Sequence, residues 1–311
     1  MKRRNFISLS ASGMAALSVM PSQLAASLNF ESKVRFGGPV FGNHHSPEEW
    51  IALHKKLGYR AAYCPLSPGA DAALITDYQT ASAKNDLVIA EVGAWSNPIS
   101  PDQDTANKAI KKCIESLELA DQIGARCCVN ISGSRHTKHW AGPHKDNLTN
   151  DTFDLIVETT RKIIDAVKPT HTFFTLEVMP WAYPDSVDSY LRLIKAIDRE
   201  QFGVHLDPVN MVTNPTTYFR NGEMIRDSFK RLGPHIRSCH AKDITLREDN
   251  SIPQYDEIVA GKGILDYAVF LTELAKLKDV PLMMEHLNSA EEYAQAAQYI
   301  RSIGKAVNIE L

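Results

Sequence analysis

Cysteine is scarce in this chain and shows no pattern. Cys64, Cys113, Cys127, Cys128 and Cys239 are five in number, an odd count. The adjacent Cys127-Cys128 pair lacks the spacing of a zinc or redox motif. Four of the five fall in strand-like runs, so buried free thiols are expected and a disulfide framework is not. Charge of one sign is also missing. Thirty-four Lys and Arg stand against 37 Asp and Glu, a formal net charge of −3, with no block of like charge beyond the N-terminus. Such a balance gives no nucleic-acid footprint. No second apolar run of about 18 residues follows the first segment, which leaves no stable membrane anchor. Linkers rich in Pro, Gly and Ser are absent too, as are low-complexity tracts. "GGPVFGNHH" is not the Gly-rich phosphate fingerprint that a doubly wound dinucleotide fold carries after its first strand. "AGKGILD" lacks P-loop spacing and reads as a turn leading into a helix after Asp266.

What is present begins with a targeting segment. Residues 1–27, "MKRRNFISLSASGMAALSVMPSQLAAS", have a basic start, a mildly apolar stretch and a small-residue end, the pattern of an export signal. Arg3-Arg4 followed by Phe6-Ile7 resembles the twin-arginine class, with Lys2 where that pattern prefers Ser. Cleavage is expected near Ala25, Ala26 or Ser27, giving an exported, periplasmic or extracytoplasmic protein.

Residues 34–311 read as one domain. Eight strand candidates occur in order, at 34–41, 61–66, 87–95, 125–132, 172–179, 202–208, 236–243 and 281–287. Each precedes a segment of helical period. In "TANKAIKKCIESLELADQIGA", Ile110, Cys113, Leu117 and Ala120 recur at helical spacing. Ser46, Pro47 and Glu48-Glu49 form a helix-start signal, with Gly58 as the stop. Eight successive βα units predict a (β/α)8 TIM barrel, in which chemistry collects where strands end. The loop "GSRHTKHWAGPHKDNLTN" after the fourth strand is long enough to form a functional lip.

Polar residues interrupt the last four runs. Glu177 sits inside "TLEVMP", Asp207 ends "FGVHLDP", His240 lies in "CHAKD" and Glu285 in "MMEH". A carboxylate inside an apolar strand is costly unless it is paired, protonated or bound to a cation. Three carboxylates and an imidazole at one barrel mouth would repel or shift one another unless a divalent cation neutralised them. An O3N set suits one Mn²⁺ or Mg²⁺ ion, with Co²⁺ and Zn²⁺ also compatible. His205 precedes Asp207 by two residues and faces the same side, either toward substrate or as a support. Lys242 bears the same relation to His240 and could stabilise an oxyanion. Trp181, Trp95 and Trp140 are candidate platforms for a sugar ring. His44 and His45 after the first strand are pocket candidates, ahead of the loop residues His136, His139 and His144.

With these motifs in order, the chain resembles the xylose isomerase-like TIM barrel superfamily of sugar isomerases and epimerases, related in fold to type IV AP endonucleases. The resemblance spans about residues 34 to 308. It implies metal ligation by Glu177, Asp207, His240 and Glu285, with the two glutamates also moving protons on opposite faces of a keto sugar. One departure is Asn210, where many members have a substrate-binding histidine; Asn can still hydrogen-bond a hydroxyl.

The expected function is divalent-metal-dependent isomerisation or epimerisation of a keto sugar through an enediolate, with Glu177 and Glu285 catalytic and His205, Asn210, Lys242, Trp181 and His44 on the substrate. The same chemistry permits a lyase or dehydratase acting on a 3-keto-glycoside. A sugar-binding barrel without turnover is a third reading. Phosphodiester hydrolysis is disfavoured, because the additional histidines of a multi-metal cluster are missing. Homo-oligomerisation is left open by the sequence.

Overall fold

The computed structural model describes residues 32–249 and 251–311. The expected export segment lies outside them. Among the described residues, no helix is long and apolar enough to cross a membrane.

Eight parallel strands close into a barrel. They are β1 (Arg35–Gly37), β2 (Ala61–Tyr63), β3 (Val88–Gly93), β4 (Cys127–Asn130), β5 (Phe174–Glu177), β6 (Phe202–Leu206), β7 (Ile236–Ala241) and β8 (Pro281–Met284). Each pairs with its sequence neighbours, and β8 closes on β1 through Leu282 opposite Phe36. All eight expected strands are present, so the chain forms a (β/α)8 barrel.

Alternation along the strands separates two environments. Phe36, Cys128, Phe174, Leu176, Val204, Leu206, Cys239 and Leu282 are fully buried in the apolar clusters that join sheet and helices. The intervening positions Thr175, Glu177, His205, Asp207, Ser238 and His240 are also buried, yet polar. His205, Ser238 and Glu177 with His240 make contacts across the barrel interior, while the outer layer supplies the hydrophobic stabilisation.

The ring helices are α1 (Pro47–Lys56), α2 (Ala72–Lys84), α3 (Gln103–Ile123), α4 (Asn150–Val167), α5 (Val187–Ile197), α6 (Asn221–Leu232), α7 (Tyr267–Leu274) and α8 (Ala290–Ala306). Most start at a side-chain cap. Ser46, Asp71, Asp102, Thr149, Ser186, Asp266 and Ser289 each accept from a first-turn N–H, an arrangement whose loss typically costs about 1 kcal/mol. Gly58 follows α1 in the left-handed region, at φ +67°, and Cys113, Leu117 and Ala120 are buried on α3 as the spacing requires.

Two features depart from the sequence reading. The run 236–243 does not end in one strand: the chain leaves the barrel at Lys242, and Asp243–Leu246 pairs antiparallel with Tyr255–Ile258. Asp243 is the reason. Its carboxylate accepts the backbone N–H groups of Ile244, Gly261, Gly263 and Leu265, fixing the "AGKGILD" turn ahead of the Asp266 cap. A Cβ on Gly263 would stand 2.3 Å from Asp243 Oδ1, so only glycine fits there. The second addition is a short parallel pair, Ser32–Lys33 with Ile309–Glu310, tying the two ends of the described chain together. All five cysteines are free, and only Cys64 is less than fully buried.

Candidate active site

Glu177 is the last residue of β5, Asp207 follows β6, His240 lies near the end of β7 and Glu285 follows β8. The barrel brings all four to one place: one ligand atom from each lies within 4.8 Å of the others. His240 Nδ1 is 2.9 Å from Glu177 Oε1, 2.9 Å from Glu285 Oε1 and 3.8 Å from Asp207 Oδ2. Asp207 is anchored through its other oxygen, which accepts the backbone N–H groups of Val209 and Asn210.

The donor set fits a divalent cation. Asp207 Oδ2 and Glu285 Oε1 are shut off from solvent without a hydrogen-bond partner among the described residues, a costly state for carboxylate oxygens. Lys242 Nζ lies 2.8 Å and 2.6 Å from those atoms. It offsets their charge at ion-pair range, but its direction does not satisfy hydrogen-bonding geometry. Three carboxylate oxygens and one imidazole nitrogen converge on one point, the donor types that a hard or borderline cation takes.

Electrostatics bind the cluster tightly. Burial pushes Asp207 up to about 6 against the pull of Lys242. Burial also opposes ionisation of Glu177 and Glu285, but His240 and Lys242 hold both below the usual carboxylate range. The Glu285, Glu91 and Glu177 carboxylates raise His240 well above an ordinary imidazole despite its burial.

Beneath this layer lies a second one that sequence reasoning missed. Glu91 of β3 is buried, and its Oε1 accepts from Ser238 Oγ at 2.5 Å and lies 2.8 Å from His205 Nε2. Its Oε2 is 3.3 Å from His240 Nε2. Burial disfavours the Glu91 charge, but His205 and His240 overcome it and hold the carboxyl far below its usual range. A carboxylate behind an imidazole fixes which ring nitrogen points forward, here Nδ1, toward Glu177 and Glu285. The available signal was a glutamate inside the apolar run "LVIAEVGAW", the same anomaly as Glu177.

Above the cluster opens a cavity of about 630 Å³. Glu177, Glu285, Lys242, Asn210 and Trp181 line it, as do Trp95 and Trp140. Asn210 Nδ2 donates to Glu177 Oε1 at 3.2 Å, and Trp181 Nε1 donates to the Ala141 carbonyl at 2.8 Å. The Trp95 ring lies 6.5 Å from that of His240. Glu257 and His286, also on the wall, pair at 2.9 Å and went unnoticed in the sequence. The long loop contributes His139, Trp140 and Ala141 to the wall as a lip. His136, by contrast, is spent inside that loop, its Nδ1 accepting from the Lys138 and His139 backbone.

Two expected substrate contacts are placed elsewhere. His205 has no exposed surface, its ring centre only 4.1 Å from that of His240; it supports the cluster from below. His44 is not on the cavity wall, and its Nδ1 lies 3.5 Å from the Tyr78 hydroxyl on α2. It stands seven positions past Gly37, the end of β1, enough to carry the chain off the barrel mouth.

The comparisons agree with this architecture. Among curated proteins, none matches the chain in sequence. D-psicose 3-epimerase from Clostridium cellulolyticum H10, solved with D-tagatose, superposes with a TM-score of 0.64 at 16% identity, covering 89% of this chain and 100% of that one. 3-Keto-D-glucoside 4-epimerase from E. coli, in its apo form, gives 0.62 at 13% identity over 87% and 100%. A xylose isomerase-like TIM barrel protein from Mycobacterium smegmatis in complex with magnesium gives 0.61 at 16% identity over 89% and 98%. At such identities the likeness carries the fold. The family model "Xylose isomerase-like TIM barrel" matches residues 51–303, most of the chain, and with the closed barrel this shows that the protein belongs to the xylose isomerase-like TIM barrel family.

Proposed function

We propose that this chain is a divalent-metal-dependent isomerase or epimerase of a keto sugar. The observation that carries the reading is the pair Glu177 and Glu285, which reach one point from β5 and β8, each 2.9 Å from His240 Nδ1. Two carboxylates on opposite sides of a site can serve opposite faces of one carbon. Glu177, Asp207, His240 and Glu285 would hold the cation, Mn²⁺ or Mg²⁺ suiting the oxygen-rich set. Bound there, such an ion supplies electrophilic stabilisation of negative charge on the carbonyl and neighbouring hydroxyl oxygens.

The chain's own residues do the rest. One glutamate removes the proton beside the carbonyl and the other returns a proton, on the opposite face for epimerisation. Asn210, whose amide already reaches Glu177, orients a hydroxyl. Trp95, Trp140 and Trp181 cover the apolar side of the ring and keep water from the reacting carbon. The proposal includes export through the twin-arginine-type segment at residues 1–27.

A second reading, elimination from a 3-keto-glycoside, is favoured by Lys242. Its ammonium lies 2.6 Å from Glu285 Oε1 on the cavity wall, positioned to give a proton to a departing oxygen. The test is a screen of free and glycosidic keto sugars with added Mn²⁺, analysed for both epimers and for released aglycone. Epimers support the first reading, aglycone the second. Turnover of neither, by protein shown to hold metal, overturns both.

A further inference from the structure

The cleft does not stop at Asn210. A second hollow of about 390 Å³ adjoins the first, with Trp181, Asn210 and Glu257 in the wall of both. Its far side is built from Val212 and Thr213, after β6, and from Tyr255. Tyr255 opens the strand Tyr255–Ile258, one arm of the antiparallel hairpin that leaves the barrel after β7. The hairpin, an addition to the eight βα units, therefore forms one bank of this hollow.

The surface has the make-up of a carbohydrate subsite. Trp181 and Tyr255 offer flat apolar faces, and Val212 adds to them. Thr213, Asn210 and Glu257 offer hydrogen-bonding groups around the edge, the combination that recognises the two characters of a sugar ring. Trp181 stands between the hollows and is held by its bond to the Ala141 carbonyl, so its position is set before any ligand arrives. The phenolic oxygen of Tyr255 is shut off from solvent and has no hydrogen-bond partner among the described residues. Tyr255 thus presents its ring, not its hydroxyl, to the hollow.

We infer that the second hollow is a subsite for a second sugar ring, and that the natural substrate is a keto sugar joined by a glycosidic bond to another sugar. The keto ring lies over Glu177 and Glu285, the glycosidic oxygen passes the Asn210–Glu257 line, and the second ring rests between Trp181 and Tyr255. This inference rests on the keto-sugar reading above, and it is tested by binding rather than turnover so that the two can fail separately.

The experiment is calorimetry on the Mg²⁺-loaded protein with unreactive probes: methyl glucoside, and a panel of methyl glycosides of glucose disaccharides differing in linkage. At least one disaccharide should bind roughly tenfold more tightly than methyl glucoside, the gain from covering a second ring. Thr213→Trp adds bulk from an exposed position into the hollow and should bring that ratio close to one. Tyr255→Ala, which removes the flat face, should lower it in part. A ratio near one in the wild-type protein for every linkage, no detectable binding of any disaccharide, or an undiminished ratio in a folded Thr213→Trp protein each overturns the subsite. Failure to isomerise any keto sugar counts against the activity proposed above, while the binding ratio still decides the subsite.

Discussion

The two halves of the barrel mouth share one cavity but not one chemistry. Strands β1 to β4 lead to Pro39, Tyr63, Trp95 and Ile131 on its wall, whereas β5 to β8 lead to Glu177, Asn210, Lys242 and Glu285. One half is apolar and aromatic with a single phenol. The other is charged and, beneath the surface, includes Asp207 and His240. Under the proposed function both halves serve: the reacting carbon of a keto sugar would meet the acids, bases and cation site of one, and its ring the flat apolar face of the other. Division by strand also separates the failures: damage to the charged half should strike the chemical step, and damage to the apolar half should strike binding.

The largest expected effect comes from the charged half. Glu177→Gln and Glu285→Gln keep the size and one ligand oxygen but cannot accept a proton at neutral pH, and each should lower turnover by about 10² to 10⁴. Measured kcat on a substrate found in the keto-sugar screen checks this, and wild-type kcat in both variants would erase the proposed division. Next comes His240→Ala, which removes the only nitrogen of the ligand set. Metal analysis of the purified protein should show most of the ion lost. The stabilisation that Mn²⁺ gives in a thermal melt should disappear with it, because a ligand that binds only the folded state raises its stability.

A subtler break lies below the mouth. Glu91→Gln leaves His240 in place but replaces a carboxylate at 3.3 Å from its Nε2 with an amide. Titration calorimetry should show metal binding weakened by about 10- to 100-fold, as for other partners behind ligating histidines. Unchanged affinity would mean that Glu91 serves packing alone. The smallest effect belongs to the apolar half: Trp95→Ala should raise KM by about tenfold with kcat little changed, the pattern of lost uniform binding. A drop in kcat with constant KM would show that the aromatic wall takes part in the chemical step.

How much of this was legible depended on whether a residue's meaning was local. Glu177, Asp207, His240 and Glu285 stood out because each interrupts an apolar run near a strand end, and the barrel topology alone brings four such ends together. Glu91 interrupts its run in the same way. Its partners, however, are His205 and Ser238, 114 and 147 residues away, and nothing adjacent marks it. His205 was legible as a residue facing the same side as Asp207, but depth was not: two residues further down the strand is the difference between joining the four-residue cluster and supporting it from below. His44 lies off the cavity wall for a different reason, since nearness to a strand end in sequence says nothing about where a loop turns. The hairpin after β7 was hidden because Asp243 extends an apolar run while its carboxylate serves a turn some twenty residues later.

The central claim is proton transfer beside a carbonyl by the two glutamates, and solvent deuterium tests it most directly. Mn²⁺-loaded protein is incubated in D₂O with a keto sugar that it turns over, and NMR follows the label at the carbon next to the carbonyl. The account predicts deuterium at that carbon with the wild-type protein and loss of the exchange in Glu177→Gln combined with Glu285→Gln. Exchange at the wild-type rate in the metal-loaded double variant, or turnover by the wild-type protein with no label at that carbon, would contradict it.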